Sequence, residues 1–342
     1  MEKILYNSIL PNENALSASI KGYGEAKPAS ALSYGEAKEN GPGEMEIIAI
    51  TDTHNDTEAI KRNLHLHDVV DKDGEWKKKA HNIRIIHTGD VINKEKPEKK
   101  SLEYIFHLKE TAPETCSVEV LAGNHEISYT LGKNEPPEKV GSKREFIAKM
   151  SVVSSEGPIL FIHGYPTIEL LREILSHGSR EEGIKAINEQ FREAMRESIS
   201  GNHEKLKRFS YAKSDGSDGE HPLFWKVLPK DYYLKNGKET EELLEKLGID
   251  IVVHGHVSRQ EGVQDVGEFQ KNNLMTNTTF INNDVRVSDR KKLDPGETGG
   301  NAWGSLKINL NNGHNGEMAV SGLEFVNKNT YNKLYPNKKL KV

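Results

Sequence analysis

The chain has 342 residues, and its 47 Lys and Arg against 52 Asp and Glu give a formal net charge of −5. A charge this small for the length argues against a surface devoted to nucleic acid or to an acidic membrane. The mean hydropathy is −0.69 and no apolar run approaches the roughly 20 residues of a membrane helix, so we expect no membrane span.

Cysteine content and the start of the chain bear on the compartment. The single cysteine, Cys116, excludes an intramolecular disulfide and fits a reducing environment. The first residues are too polar, and their apolar run too short, for a secretory signal. We therefore expect a cytoplasmic protein, or one exported without a signal peptide that acts as an effector in a host cytosol.

Residues 1–44 differ in composition from the rest of the chain. They contain few large apolar residues, and the pentapeptide Tyr-Gly-Glu-Ala-Lys occurs at both 23–27 and 34–38. Such a stretch cannot bury enough apolar surface to offset its ordering entropy. We predict a flexible N-terminal extension here, and a short basic, solvated tail at 331–342.

From residue 46 onward, short β-branched runs alternate with helical patterns such as 57–70 and 98–110, which predicts a layered α/β core. The runs lie at 46–51, 83–88, 117–122, 158–163 and 249–254. Residues 167–247 have mostly helical spacing and predict an inserted helical cap. Three later β-like runs, at 274–287, 303–310 and 318–326, predict a second sheet facing the first.

Residues that commonly bind hard metal ions follow each of the five core runs. They are Asp52 and His54 after the first run, Asp90 after the second, Asn124 and His125 after the third, His163 at the end of the fourth, and His254 and His256 at the end of the fifth. Each of these motifs alone is weak evidence for a metal site, but their occurrence in order, each after an apolar strand, is strong evidence. Because ligands bind beyond the carboxyl ends of strands, we expect these groups to converge at one edge of the sheet.

The sequence contains an internal control for this prediction. The tetrapeptide Gly-Asn-His-Glu occurs at residues 123–126 and again at 201–204. The second copy follows a helical pattern inside the predicted cap, where no partner ligands are expected. We therefore predict that only the first copy contributes to a metal site.

The ordered set resembles the calcineurin-like metallophosphoesterases. Gly-Asn-His-Glu at 123–126 and Val-Val-His-Gly-His at 252–256 look most like the phosphoprotein phosphatase (Ser/Thr protein phosphatase) branch of that superfamily. The resemblance implies a two-sheet β-sandwich flanked by helices, an α/β layered fold. The resemblance covers roughly residues 46–310, and we expect the catalytic domain at 45–330, with the helical cap at about 167–247.

The resemblance also implies a site with two divalent metal ions. By motif, Asp52 and His54 would bind the first ion, Asp90 would bridge both, and the second would be bound by Asn124, His163 and His256. His254 is an alternative ligand, because the wider superfamily has a Gly-His-x-His pair; His256 is the favoured reading. Carboxylate, imidazole and amide oxygen without thiolate suit Mn²⁺, with Fe or Zn²⁺ as alternatives.

The implied chemistry is attack of a metal-bridging hydroxide on phosphorus, with His125 protonating the leaving oxygen. The sequence departs from the branch after Asp90. Asn93 replaces the Asp that usually orients the general acid, and Lys94 replaces a phosphate-binding Arg, although it can also be read as part of a solvated lysine run. The second Arg of the branch has no clear counterpart; Lys226, Lys230 and Arg259 are equal candidates.

We therefore predict a two-metal phosphomonoesterase, most simply a protein phosphatase acting on Ser/Thr phosphate, with Tyr phosphate left open. A phosphoprotein or phosphopeptide is then its partner. One alternative is a hydrolase of dinucleoside polyphosphates or other small nucleotides. Another is a non-catalytic binding module with a vestigial site, against which the intact ligand set argues.

Overall fold

A computed structural model of the chain describes residues 44–93, 98–132, 143–212, 223–225, 230–256, 278–282, 304–312 and 318–327. The predicted flexible extension, apart from Glu44, and the predicted basic tail lie outside the described residues. So do Lys94, Lys226 and Arg259.

The first sheet has five strands in the order β12-β11-β1-β2-β3. Strand β1 is parallel to β2, β2 is parallel to β3, and β11 is antiparallel to both β1 and β12. The strands are β1 (Met45–Ile50), β2 (Ile83–His87), β3 (Ser117–Val120), β11 (Gly304–Asn312) and β12 (Met318–Asn327).

The second sheet has four strands in the order β10-β9-β5-β4. Strand β9 is parallel to β5 and to β10, whereas β4 is antiparallel to β5. The strands are β4 (Val153–Glu156), β5 (Ile159–Ile162), β9 (Ile251–His254) and β10 (Thr279–Asn282).

The two sheets face each other across an apolar layer. Alternate residues of β1, Ile47 and Ala49, pack in this layer with Phe161 of β5 and Val253 of β9. The residues between them, such as Ile48, belong to a larger cluster shared with the flanking helices. This alternation follows from the two-residue period of a strand, and it confirms the predicted two-sheet sandwich flanked by helices.

The assignment of strands to sheets differs from the prediction. Of the three late strands, only β10 joins the second sheet, beside β9, whereas β11 and β12 extend the first sheet beside β1. The early run that forms β5 belongs to the second sheet. A strand buried on both faces has no alternation in its sequence, so its pattern cannot reveal which sheet it joins.

Helices cover the outer faces of the sandwich. They are α1 (Thr57–Leu66), α2 (Lys99–Glu110), α3 (Asn124–Leu131), α4 (Ile168–Ser176), α5 (Arg180–Ile199), α6 (Glu204–Lys207) and α7 (Lys230–Lys246). Asp56 caps α1 by accepting a hydrogen bond from the Ala59 amide, and Ser179 caps α5 by accepting one from the Glu182 amide.

The described part of the predicted cap contains helices and two short strands. These strands, β7 (Tyr211–Ala212) and β8 (Phe224–Trp225), form a small sheet with β6 (Tyr165–Pro166). The Asn188 side chain of α5 accepts a hydrogen bond from the Val152 amide at 2.8 Å and donates one to the Val153 carbonyl at 2.8 Å. Helix α5 therefore belongs to the layer that flanks the second sheet.

Candidate metal centre

The predicted ligands meet at one edge of the sandwich, and they come from both sheets. Asp52 and His54 follow β1, Asp90 follows β2, and Asn124 begins α3 after β3. His163 follows β5 and His256 follows β9. The carboxyl ends of these strands all lie on the same side, so the expected convergence occurs between two sheets rather than along one.

Contacts between these side chains run from the first sheet to the second. His54 Nε2 lies 3.5 Å from Asp52 Oδ1 and 3.9 Å from Asp90 Oδ2. Asp90 Oδ1 in turn lies 3.4 Å from His163 Nε2. Asp90 therefore contacts ligand candidates that follow strands of both sheets.

The ligand candidates that follow strands of the second sheet contact one another and also contact Asp52 of the first sheet. His163 Nε2 lies 3.1 Å from Asn124 Oδ1, and the rings of His163 and His256 are 5.2 Å apart. The His256 amide donates a hydrogen bond to Asp52 Oδ2 at 2.9 Å. Asp52, His54, Asp90, His163 and His256 thus form a closed ring of contacts, with Asn124 beside it.

Two groups of side chains within the described residues have the geometry to bind a metal ion. One comprises His54, Asp90 and His125, and the other Asp90, His163 and His256, with the ligand atoms of each group within 4.8 Å of one another. Asp90 is common to both. Carboxylate and imidazole donors of this kind fit divalent transition-metal ions.

Charges within the cluster also favour cations. Burial would raise the pKa of Asp52, but His163 and His54 lower it to about 2. Burial would likewise raise the pKa of Asp90, which His163 and His125 hold well below its usual range. Both buried carboxylates therefore remain ionised at neutral pH.

The histidines of the cluster respond to those carboxylates. Burial would lower the pKa of His54, but Asp52 and Asp90 raise it to about 9. The same two carboxylates raise the pKa of His163 to about 9 against the effect of its burial. The cluster attracts positive charge, which is a requirement for binding divalent ions.

His125 lies beside the cluster and is less buried than its neighbours. Its Nδ1 atom lies 3.1 Å from Nδ1 of His54 and 3.2 Å from the Ile92 carbonyl oxygen, and its Nε2 atom lies 3.8 Å from Asp90 Oδ2. Its side chain is 17% exposed, against 2% for Asp90. The backbone amide of Asn93 donates to Asn55 Oδ1 at 3.1 Å.

His254 has a different environment from His256. Its ring packs against Tyr165, with ring centroids 4.4 Å apart, and against Phe280, at 6.4 Å. Its Nδ1 atom lies 3.0 Å from the Gly255 carbonyl oxygen. In the described part of the chain, His256 is grouped with Asp90 and His163 as a potential ligand, whereas His254 is in neither group.

The second Gly-Asn-His-Glu copy lies at the start of α6, away from strand ends. Its His203 Nδ1 lies 2.5 Å from the Ser198 hydroxyl, and Asn202 donates to the Glu197 carboxylate at 3.2 Å. Neither group of potential metal ligands found in the described ranges includes it.

Sequence reasoning missed the role of Glu126. Its buried carboxylate accepts hydrogen bonds from the amides of Gly123 at 2.7 Å, Ile92 at 2.9 Å and Asp90 at 3.0 Å. Burial and the nearby Asp90 carboxylate raise the pKa of Glu126 to about 7. The sequence does contain a signal for this role, because a Glu at the third position of a helix often accepts a hydrogen bond from the amide of the residue before the helix.

Unusual backbone conformations concentrate at this centre. Seven described residues other than glycine have positive φ, and five of them belong to the loops that carry the cluster. They are Asp52 (51°), His54 (43°), Asn55 (73°), Asp90 (56°) and His256 (73°). Each such residue costs on the order of 1–3 kcal/mol, and such strain is typical of functional sites.

An α/β sandwich with an Asp and His cluster beyond the carboxyl ends of its strands is the architecture of a metal-dependent phosphoester hydrolase. A family model for the calcineurin-like phosphoesterases matches residues 45–260. The chain therefore belongs to this family, which confirms the resemblance seen in the sequence. A search of curated proteins finds no match.

Two solved structures share the fold at low sequence identity, and a third is less similar. A cold-active protein tyrosine phosphatase matches with a TM-score of 0.54 at 16% identity, over 81% of this chain and 78% of that one. The cold-active protein-tyrosine phosphatase of the psychrophile Shewanella sp. matches with 0.54 at 17%, over 81% and 80%. A protein serine/threonine phosphatase from Saccharomyces cerevisiae gives 0.46 at 13%, over 83% and 80%.

None of the described helices combines the length and the apolar character needed to cross a membrane.

Proposed function

We propose that this protein is a two-metal phosphomonoesterase that removes phosphate from phosphoproteins, with phosphoserine and phosphothreonine as preferred substrates. The observation that supports it best is the position of Asp90, whose carboxylate belongs to both groups of potential metal ligands. A carboxylate shared in this way suits a pair of ions that act on one phosphoryl group.

In this proposal the ligand set is divided around Asp90. Asp52 and His54 bind one ion, and Asn124, His163 and His256 bind the other. The donor types favour Mn²⁺, with Fe or Zn²⁺ as alternatives. When bound, such a pair of ions neutralises phosphoryl oxygens and lowers the pKa of water.

His125 supplies the proton for the leaving oxygen. As the bond from phosphorus to the seryl or threonyl oxygen breaks, that oxygen gains negative charge, and proton transfer from an imidazole prevents this. The His125 ring is 17% exposed and so more accessible than the ligands around it, and the Ile92 carbonyl oxygen lies close enough to orient its Nδ1 atom. Asn93 and Lys94 come directly after Ile92 in the chain. We assign Lys94 to neutralising the substrate phosphate.

The proposal is tested by assaying phosphoserine, phosphothreonine and phosphotyrosine peptides beside diadenosine tetraphosphate, each with Mn²⁺ and with a chelator. We expect hydrolysis of the first two peptides, lost on chelation. Preferential cleavage of the dinucleotide would replace the proposal by a nucleotide hydrolase. Metal binding without any hydrolysis would favour a binding module.

The two Gly-Asn-His-Glu copies provide a matched pair of variants. Asn124→Ala removes an amide oxygen beside His163 and should reduce turnover by about 10–100-fold or more, as loss of metal-site groups does. Asn202→Ala removes the corresponding residue of the second copy and should leave turnover within about threefold of wild type. Equal losses in the two variants would contradict the assignment of the centre.

A further inference from the structure

A pair of buried side chains connects the two loops that carry Asp52, His54 and Asp90. His87 is the last residue of β2, and Thr53 lies between Asp52 and His54. The Nε2 atom of His87 lies 3.0 Å from the hydroxyl oxygen of Thr53, and both side chains are fully buried.

The hydrogen-bond partners define the direction of this contact. The Gly89 amide donates to Nδ1 of His87 at 3.3 Å, so Nδ1 is the unprotonated nitrogen. In the neutral ring Nε2 then carries the hydrogen and donates it to the Thr53 hydroxyl. Burial lowers the pKa of His87 to about 3, which keeps the ring neutral. One imidazole therefore contacts the Asp52–His54 loop through Nε2 and the Gly89–Asp90 loop through Nδ1.

The backbones of the same two loops are also hydrogen bonded. The Asp52 amide donates to the Gly89 carbonyl at 3.0 Å, and the His54 amide donates to the Asp90 carbonyl at 3.0 Å. The side-chain contact of His87 with Thr53 therefore lies beside backbone bonds made by Asp52 and His54. Asp52, His54 and Asp90 all have positive φ, a conformation that persists only where surrounding contacts enforce it.

We propose that Thr53 and His87 are positioning residues for the metal centre. Their hydrogen bond fixes the Asp52–His54 loop against the Gly89–Asp90 loop and thereby sets the affinity for the ion that Asp52 and His54 bind. The inference rests on the proposed two-metal function. Groups that orient metal ligands without touching the ion typically contribute 10–100-fold to affinity.

Two substitutions of Thr53 isolate the hydroxyl. Thr53→Val keeps the shape of the side chain and removes the acceptor for His87, whereas Thr53→Ser keeps the hydroxyl and removes a methyl group. Calorimetric titration of metal-free full-length protein with Mn²⁺ measures the affinity directly, without an activity assay. We expect about 10-fold or greater weakening in Thr53→Val and less than about threefold in Thr53→Ser.

Thr57→Val is the matched control, because it removes another buried threonine hydroxyl of the same domain. The Thr57 hydroxyl lies 2.8 Å from that of Ser101 and joins α1 to α2. Its loss should lower the midpoint of urea unfolding and leave Mn²⁺ affinity unchanged.

The outcomes separate this inference from the proposed function. Mn²⁺ affinity within threefold of wild type in Thr53→Val, or equal weakening in Thr53→Ser, would overturn the positioning role. Wild-type protein that binds Mn²⁺ but hydrolyses no phosphopeptide would overturn the proposed substrate, while the affinities of the variants would still decide the role of Thr53. Wild-type protein that binds no Mn²⁺ would overturn both.

Discussion

Nδ1 of His125 lies 3.1 Å from Nδ1 of His54, so distance alone allows His125 to be a ligand beside His54. Its exposure favours a different role. A metal ligand has to contact only the ion, whereas a general acid has to contact the substrate, which enters from solvent. The His125 side chain is 17% exposed, against 9% for His54. The two roles make different predictions for the same substitution.

As a general acid, His125 should matter most for substrates with poor leaving groups. His125→Ala should slow hydrolysis of phosphoserine peptides by about 10²-fold or more. It should slow p-nitrophenyl phosphate much less, because p-nitrophenolate is stable without a proton. Metal content, measured by elemental analysis, should not change. If both substrates slow equally and the metal content falls, His125 is a ligand.

The residues of the centre differ in how far the sequence could predict them. Asp52, Asp90 and His163 each follow an apolar run, so the pattern of strands was enough to predict that they lie close together. Glu126 and the pair of Thr53 and His87 make contacts with loops more than 30 residues away in the chain. Such contacts depend on the relative positions of two loops, which no local pattern records.

At the scale of single elements, two buried asparagines on helices have opposite environments. Asn188 of α5 bonds to the backbone before and within β4. Asn63 of α1 is fully buried, and within the described part of the chain neither atom of its amide has a hydrogen-bond partner. A buried amide without partners costs free energy that an apolar side chain does not.

This contrast predicts opposite effects for the same substitution. Asn63→Leu should raise the free energy of unfolding by about 1–2 kcal/mol, because it removes the unpaired amide. Asn188→Leu should lower it by about 2 kcal/mol or more, because three backbone contacts lose their partner. Urea denaturation monitored by circular dichroism measures both. A destabilised Asn63→Leu would show that this amide has a partner or that leucine does not fit.

Element boundaries and element partners were not equally predictable. The first core run was predicted at 46–51 and β1 is Met45–Ile50, because a sharp change from apolar to polar residues marks its end. The partners of β5 were not predictable, since all four of its residues are buried. The helical interpretation of 167–247 identified α5 but could not show that it packs on β4.

For the whole molecule, the partly buried histidine His67 makes stability depend on pH. The Nε2 atom of His67 lies 2.7 Å from the Ser305 hydroxyl, between α1 and β11. Burial and the nearby Lys307 lower the pKa of His67 to about 3. The unfolded chain binds a proton at this histidine below about pH 6.5, whereas the folded chain does not until about pH 3. The stability that His67 contributes is therefore present above pH 6.5 and is lost as the pH falls toward 3.

His67→Gln should make the protein less sensitive to acid. Between pH 7 and pH 5, the variant should lose about 1–2 kcal/mol less free energy of unfolding than wild type. The measurement is urea denaturation at both pH values, with a chelator present so that metal binding does not contribute. His177→Gln, at the exposed end of α4, is the control and should behave as wild type. Equal pH dependence in wild type and His67→Gln would contradict the burial effect.

The ligands come from both halves of the sandwich, Asp52 and Asp90 from the first sheet and His163 and His256 from the second. The ion that Asp90, His163 and His256 would hold would therefore act as a cross-link between segments more than 70 residues apart in the chain, and neither sheet alone offers its complete coordination. Ions that bind only the folded state add RT ln(1 + [ion]/Kd) to its stability. In refolding, binding of this second ion should occur only after the two sheets have docked, so the rate of its uptake would measure the rate at which the sandwich assembles.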